Sequence, residues 1–254
     1  MRPSALQVAV LFPELLGTYG DGGNVVVLEQ RLAWRGLAGD IVNVGLGDPV
    51  PSGADLYVLG GGEDRAQVHA LAALRRGTGL QQAVARGATV LAVCAGLQLL
   101  GSSITDRSGQ VSAGLGLLDA DTRLGPDRLV GEVVAVFDPA LGLPPLTGFA
   151  NHAGRTRLGP AARPLARATS GPGNDGPGNN NGRRRGRRGE RPPEGALQGS
   201  LVATYLHGPV LARNPALADL VLARALGHAL APLPLPEVDA VRRERLGGRP
   251  DQVR

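Results

Sequence analysis

At 254 residues and 43% hydrophobic content, the chain has enough apolar side chain for one large domain, but with 3% aromatics its core must be built from Leu, Val and Ala. No apolar run approaches about 18 residues, so no transmembrane segment is expected, and the single cysteine excludes an internal disulfide and a thiolate-rich metal site. The formal charge of +5 suggests a nucleic-acid binder, yet residues 183–191 hold six arginines against one glutamate and leave the rest neutral, so no nucleic-acid partner is expected.

The chain opens on an apolar stretch, 6–12, that ends in Pro13-Glu14 with no small-residue cleavage site. It reads as a first strand and not a signal peptide, which implies a cytoplasmic protein. Further apolar runs at 40–44, 54–59 and 88–93 read as buried strands, with helical patterns at 23–37, 66–86 and from 96 onward. Strand and helix alternate, which predicts a single-domain α/β fold with a mainly parallel central sheet and helices on both faces. Residues 105–160 read as turns and shorter strands, with one strand at 129–137. Gly171 to Gly195 is a Gly-, Asn- and Arg-rich stretch with no apolar anchor, expected to be a disordered loop inserted in a domain spanning 1–230. A strand follows at 200–206, then a helix opened by Asn214 as N-cap and Pro215 at its first position. Residues 231–254 form a Pro-rich C-terminal extension with a short helix and a frayed tail.

Three features carry chemistry. Val90-Leu91-Ala92-Val93-Cys94-Ala95-Gly96-Leu97-Gln98 takes a buried strand to a cysteine flanked by small residues, with a helix beginning at once. This is the pattern of a nucleophile elbow, whose sharp turn lifts the side chain above the sheet. A helix N-terminus there favours thiolate and offers the Ala95 amide to an oxyanion. The segment alone fits a buried structural thiol as well as a nucleophile. Gly60-Gly61-Gly62 follows a predicted strand and belongs at the same carboxyl edge of the sheet. The amides of Gly61 and Gly62 are therefore candidate oxyanion donors. A thiol nucleophile also needs a base. Of four histidines, His69 lies in a predicted helix and His228 follows the last one. His152 sits in a polar turn, serving structure or substrate, while His207 ends a strand before Gly208-Pro209, exposed at the sheet edge. His207 is the choice for the base. Arg128 is a candidate clamp for a substrate carboxylate, since a guanidinium binds one at two points. A solvated Arg is an equal reading of that residue. Gln98 is a candidate pocket residue.

Cys94 in its elbow, the Gly60–62 loop and Tyr205-Leu206-His207-Gly208-Pro209 resemble class I glutamine amidotransferases of the CobB/CobQ-like branch. Four blocks narrow the resemblance: Gly17-Thr18-Tyr19-Gly20-Asp21-Gly22-Gly23-Asn24, Gly60 to Gln67, Gly148 to Thr156, and Thr204 to Pro209. Together they resemble the glutaminase subunits of lipid II isoglutaminyl synthases. The resemblance implies a Cys94–His207 glutaminase acting on L-glutamine, with no metal and no cofactor in this chain. It implies a heterodimer with a MurT-like, Mur-ligase-family synthetase, where ATP and Mg would bind. That partner would amidate the D-glutamate α-carboxylate of the peptidoglycan stem peptide. A cobyric-acid-type acceptor and an inactive binding module are the alternatives. Many relatives carry a glutamate two residues after the histidine. Here that position is Pro209, so a dyad or a distant group such as Asp21 must serve, although a Gly-Asp-Gly turn has its own structural use for the Asp.

Overall fold

A computed structural model describes residues 5–177 and 191–246. The first half runs β1 (Leu6–Leu11), α1 (Gly23–Trp34), β2 (Gly39–Val44), β3 (Leu56–Leu59), α2 (Asp64–Leu74), α3 (Gly79–Ala85), β4 (Thr89–Val93) and α4 (Ala95–Leu100). Then come β5 (Ser103–Thr105), β6 (Val111–Ala113), β7 (Ala120–Phe137), β8 (Leu146–Leu158), β9 (Ala166–Ser170), β10 (Pro172–Gly173) and β11 (Gly176–Pro177). The chain closes with β12 (Pro193–Glu194), β13 (Ala196–Gln198), β14 (Leu201–Thr204), β15 (Leu206–His207), α5 (Val210–Arg213), α6 (Pro215–Leu226) and α7 (Pro236–Arg245).

The α/β reading holds. Six strands form the central sheet in the order β13-β14-β4-β3-β1-β2, parallel at every pair except β13–β14. β3 and β4 are buried at every position, as strands covered on both faces must be, and their Leu, Val and Ala content follows from that. From β1 the chain steps outward to β2, but from β3 it steps the other way to β4. Right-handed crossovers then put α1 on one face and α2–α3 on the other. The crevice between β1 and β3, where the direction reverses, is where such sheets bind ligands.

A second sheet of seven strands lies beyond the sequence reading. Its centre is β7, 18 residues long, antiparallel to the 13-residue β8. Residues 105–160 had read as turns because Gly125, Pro126 and Asp127 interrupt the apolar pattern. They fall in an irregularity of the β7–β8 pairing, between Leu124 and Leu129, where a proline costs no ladder hydrogen bond. His152, expected in a polar turn, instead lies within β8 and is buried.

The loop expected at 171–195 also needs correction at its two ends. Asn174 is fully buried, and its side chain exchanges hydrogen bonds with the backbone of Gly195 at 2.7 and 2.9 Å. β12 pairs with β9. Polar side chains satisfied by backbone anchor these ends where apolar ones are lacking. The arginine block at 183–190 lies outside the described residues. In the C-terminal extension, Arg242 of α7 reaches the carbonyl of Pro145 at 2.7 Å and Asn214 Oδ1 at 2.9 Å, so the short helix is docked. Residues 247–254 lie outside the described residues.

Glu194 ties the two sheets together. Its Oε1 accepts from Thr204 Oγ1 at 2.7 Å and from the Tyr205 N–H at 2.8 Å, fixing the turn from β14 to β15. Burial pushes its carboxyl up to about 7, against which the two hydrogen bonds pull down. The folded chain thus keeps a proton that the unfolded chain gives up near pH 4.5. This stabilisation is complete below that pH and is lost as pH rises to about 7. Thermal unfolding between pH 5 and 8 should therefore show a falling Tm that Glu194→Gln flattens; an unchanged slope in the variant would assign the effect elsewhere.

Candidate active site

Cys94 occupies the single residue between β4 and α4, with φ +51° and ψ −100°. A non-glycine residue held there carries about 1–3 kcal/mol of backbone strain, imposed from both sides by the sheet and the helix. Its N–H donates to the Thr204 carbonyl of β14 at 2.8 Å. The small residues of the elbow are required by contact: a Cβ on Gly96 would stand 2.8 Å from both Cβ and the carbonyl oxygen of Leu59.

His207 ends β15, which pairs antiparallel with β8 through Leu206↔Ala150 and His207↔Phe149. The imidazole is buried, correcting the expectation of exposure; the Tyr19 ring lies over it at 4.9 Å and 57°. Its Nδ1 stands 3.0 Å from both carboxylate oxygens of Asp21. With Asp21 as acceptor, His207 carries its proton on Nδ1 and keeps a lone pair on Nε2. That atom is buried without a partner among the described residues.

Gly61 is where these groups meet. A Cβ placed on it would lie 2.7 Å from His207 Cε1, 2.8 Å from Asp21 Oδ2 and 3.5 Å from Cys94 Cβ. Any side chain there would push the three apart. The Gly61 N–H, which the sequence reading had offered to a substrate oxygen, instead donates to Asp21 Oδ2 at 2.7 Å. The Gly62 N–H makes no hydrogen bond among the described residues.

Burial pushes the Cys94 thiol up to about 12, the Asp21 charge adds to the rise, and Arg128 and the Ala95 N–H oppose it. The thiolate preference expected at a helix N-terminus is therefore overcome by desolvation, since α4 is only six residues long and Cys94 is buried. The resting sulfur is a thiol.

Arg128 comes to the rim of the site. Its guanidinium donates to Asn151 Oδ1 at 2.6 Å, to the Asn151 carbonyl at 2.8 Å and to Tyr19 Oη at 3.1 Å, and lies 3.7 Å from Glu63. It is not a free surface Arg: Asn151 fixes the plane of its guanidinium. Gln98 is buried behind Cys94, donating to Tyr205 Oη at 3.2 Å, with its Oε1 unpartnered among the described residues. Asn151 was not foreseen, and the Asn-His dipeptide gives no signal for it. Asp21 had been named only as a fallback. The one hint was Pro209, which leaves the histidine without a local carboxylate. Among the described residues, no three His, Cys, Asp or Glu gather to hold a metal.

Comparison with known proteins gives the family of the chain. The subunit GatD of lipid II isoglutaminyl synthase (glutamine-hydrolyzing) from Staphylococcus aureus strain N315 is 32% identical, over 88% of this chain and 86% of that protein. The subunit of the same name from Streptococcus pneumoniae strain R6 is 30% identical, over 88% and 82%. A crystal structure of a glutamine amidotransferase superposes with a TM-score of 0.56 at 21% identity, covering 86% of this chain and 98% of that one, a likeness of fold. The CobB/CobQ-like glutamine amidotransferase domain matches residues 7–215. The chain belongs to the family of CobB/CobQ-like glutamine amidotransferase domains.

Proposed function

We propose that this chain is the glutaminase subunit of a lipid II isoglutaminyl synthase. In this reading Cys94 is the nucleophile, His207 the general base and acid, and Asp21 the group that orients His207. The observation that carries it is the convergence of all three side chains on Gly61. Because the thiol rests protonated, attack and deprotonation are coupled. His207 Nε2 takes the proton as sulfur bonds to the carboxamide carbon of L-glutamine. Asp21 holds the imidazole in the tautomer that can do this and stabilises the imidazolium formed. The amides of Ala95 and Gly62 receive the oxyanion. His207 returns its proton to the departing nitrogen, the C–N bond breaks and ammonia leaves. Water then cleaves the thioester, releasing glutamate and restoring the thiol. Arg128, held by Asn151, faces the substrate's α-carboxylate.

The ammonia is passed, in this reading, to a MurT-like Mur-ligase-family synthetase, which binds ATP and Mg and activates the D-glutamate α-carboxylate of the stem peptide. Two relatives carrying the GatD name over most of their length favour this acceptor. Among the described residues no helix is long and apolar enough to cross a membrane. A cytoplasmic location follows from the substrate proposed.

Three variants test the site by glutamate release from L-glutamine in the presence of the synthetase. Cys94→Ala should abolish it. Asp21→Asn, which keeps the shape but favours the wrong tautomer, should slow it by about 10²- to 10⁴-fold. Gly61→Ala should also be severely impaired while melting within a few degrees of the parent. Full activity in Asp21→Asn would remove Asp21 from the mechanism.

A further inference from the structure

Glu63 has no part in the scheme above, yet it stands at the rim of the site. It follows the Gly60–62 loop directly and occupies the N-cap position of α2, but its side chain makes no capping hydrogen bond. The carboxylate turns elsewhere. Oε1 accepts from Tyr19 Oη at 2.9 Å, and Oε2 lies 3.7 Å from Arg128 Nη1. Tyr19 Oη also accepts from Arg128 Nη2 at 3.1 Å, and its ring lies over His207. One hydroxyl thus bridges an anion and a cation beside the His207 ring.

Neither charge is used up by the fold. The Glu63 side chain is 59% exposed, and an ion pair that open and that long contributes little to stability. Asn151 and Tyr19 occupy Nε and Nη2 of Arg128, whereas Nη1 meets only Glu63 among the described residues. The pair is also within a substrate's reach of the reacting centre. A Cβ on Gly61 would lie 3.5 Å from Cys94 Cβ, and Glu63 is two residues further on, at most about 7 Å of chain. Glutamine spans about 5 Å from its carboxamide carbon to its α-nitrogen. Behind burial and Asp21, which dominate, Arg128 lowers and Glu63 raises the Cys94 thiol, so both charges reach the sulfur.

A carboxylate and a guanidinium side by side match the two charges on the α-carbon of a free amino acid. The Tyr19 hydroxyl, donating to one and accepting from the other, holds the place of that head group. We propose that Glu63 receives the α-ammonium group of glutamine while Arg128 holds the α-carboxylate, so that the site selects the free amino acid over an N-acylated one. The inference rests on the glutaminase reading and deepens it. Arg128 alone would take any carboxylate. Glu63 adds the demand for an ammonium, whose N–H groups it accepts in charge-assisted hydrogen bonds. Acylation of that nitrogen removes the charge and brings a carbonyl oxygen towards the carboxylate, which turns attraction into repulsion.

The test compares ammonia release from L-glutamine and from glutaramate, which keeps the carboxylate and carboxamide but has hydrogen in place of the ammonium. Both are given to the full-length chain in the presence of the synthetase. Glu63→Gln keeps the shape and removes the charge. KM for glutamine should rise about 10-fold or more with kcat little changed, because the contact is made equally before and during reaction. The constants for glutaramate should stay as in the parent, so that the preference for glutamine collapses. Removing the Glu63 charge eases thiolate formation, so a loss confined to glutamine does not come from the sulfur. Where glutaramate turns over too slowly to follow, its inhibition of glutamine hydrolysis gives the same comparison. Glu63→Ala carries the same expectation, and Glu63→Asp should recover part of the preference. An undiminished preference in the Gln and Ala variants, or an equal loss on both substrates, would overturn the proposal and leave Glu63 a support for Tyr19. A parent chain that released no ammonia from glutamine would overturn the glutaminase reading and this inference together.

Discussion

The contact between His207 and Asp21 joins residues 186 positions apart, and the site's geometry depends on it. One comes from the loop after the first strand, the other from near the end of the last. They can touch only because Gly61, between them, has no side chain. The Gly61 N–H also donates to Asp21, so one carboxylate is gripped from two sides and cannot rotate away from the imidazole. A buried acceptor with two good donors is inexpensive to hold, whereas removing either donor would leave it uncompensated.

The topology explains why these groups and no others meet. β1 and β3 send their following segments to opposite faces, which opens the crevice occupied by Asp21 and the Gly60–62 loop. Cys94 follows the neighbouring strand β4 and so stands at the same rim. The second sheet closes the far side: β8 carries Asn151, β7 carries Arg128, and β15 delivers His207. Burial then sets the chemistry. It keeps the sulfur protonated and leaves deprotonation, in the proposed mechanism, to His207.

The central sheet was legible because strands buried on both faces read as unbroken aliphatic runs, and the elbow because only small residues fit around Cys94. The second sheet was not. Its long strands alternate buried and exposed positions, and Gly-Pro-Asp at a pairing irregularity imitates a turn. Cys94, Gly61 and His207 could be picked out because each sits where a strand ends. Asp21 could be suspected only from what Pro209 fails to supply, and Asn151 not at all, since its role is defined by a partner 23 residues away. The ends of the 171–195 stretch misled for a related reason. Asn174 and Glu194 are buried by hydrogen bonds to backbone, a kind of anchoring that composition does not reveal.

The central claim is that the one cysteine is a glutamine-directed nucleophile whose reactivity comes from His207 under the control of Asp21. Labelling with a diazoketone analogue of glutamine, followed by peptide mass mapping, measures that directly. The account predicts a single adduct on Cys94, prevented by excess L-glutamine and slowed by orders of magnitude in His207→Ala and Asp21→Asn chains that remain folded. Labelling that ignored both substitutions, or that was not suppressed by glutamine, would contradict it.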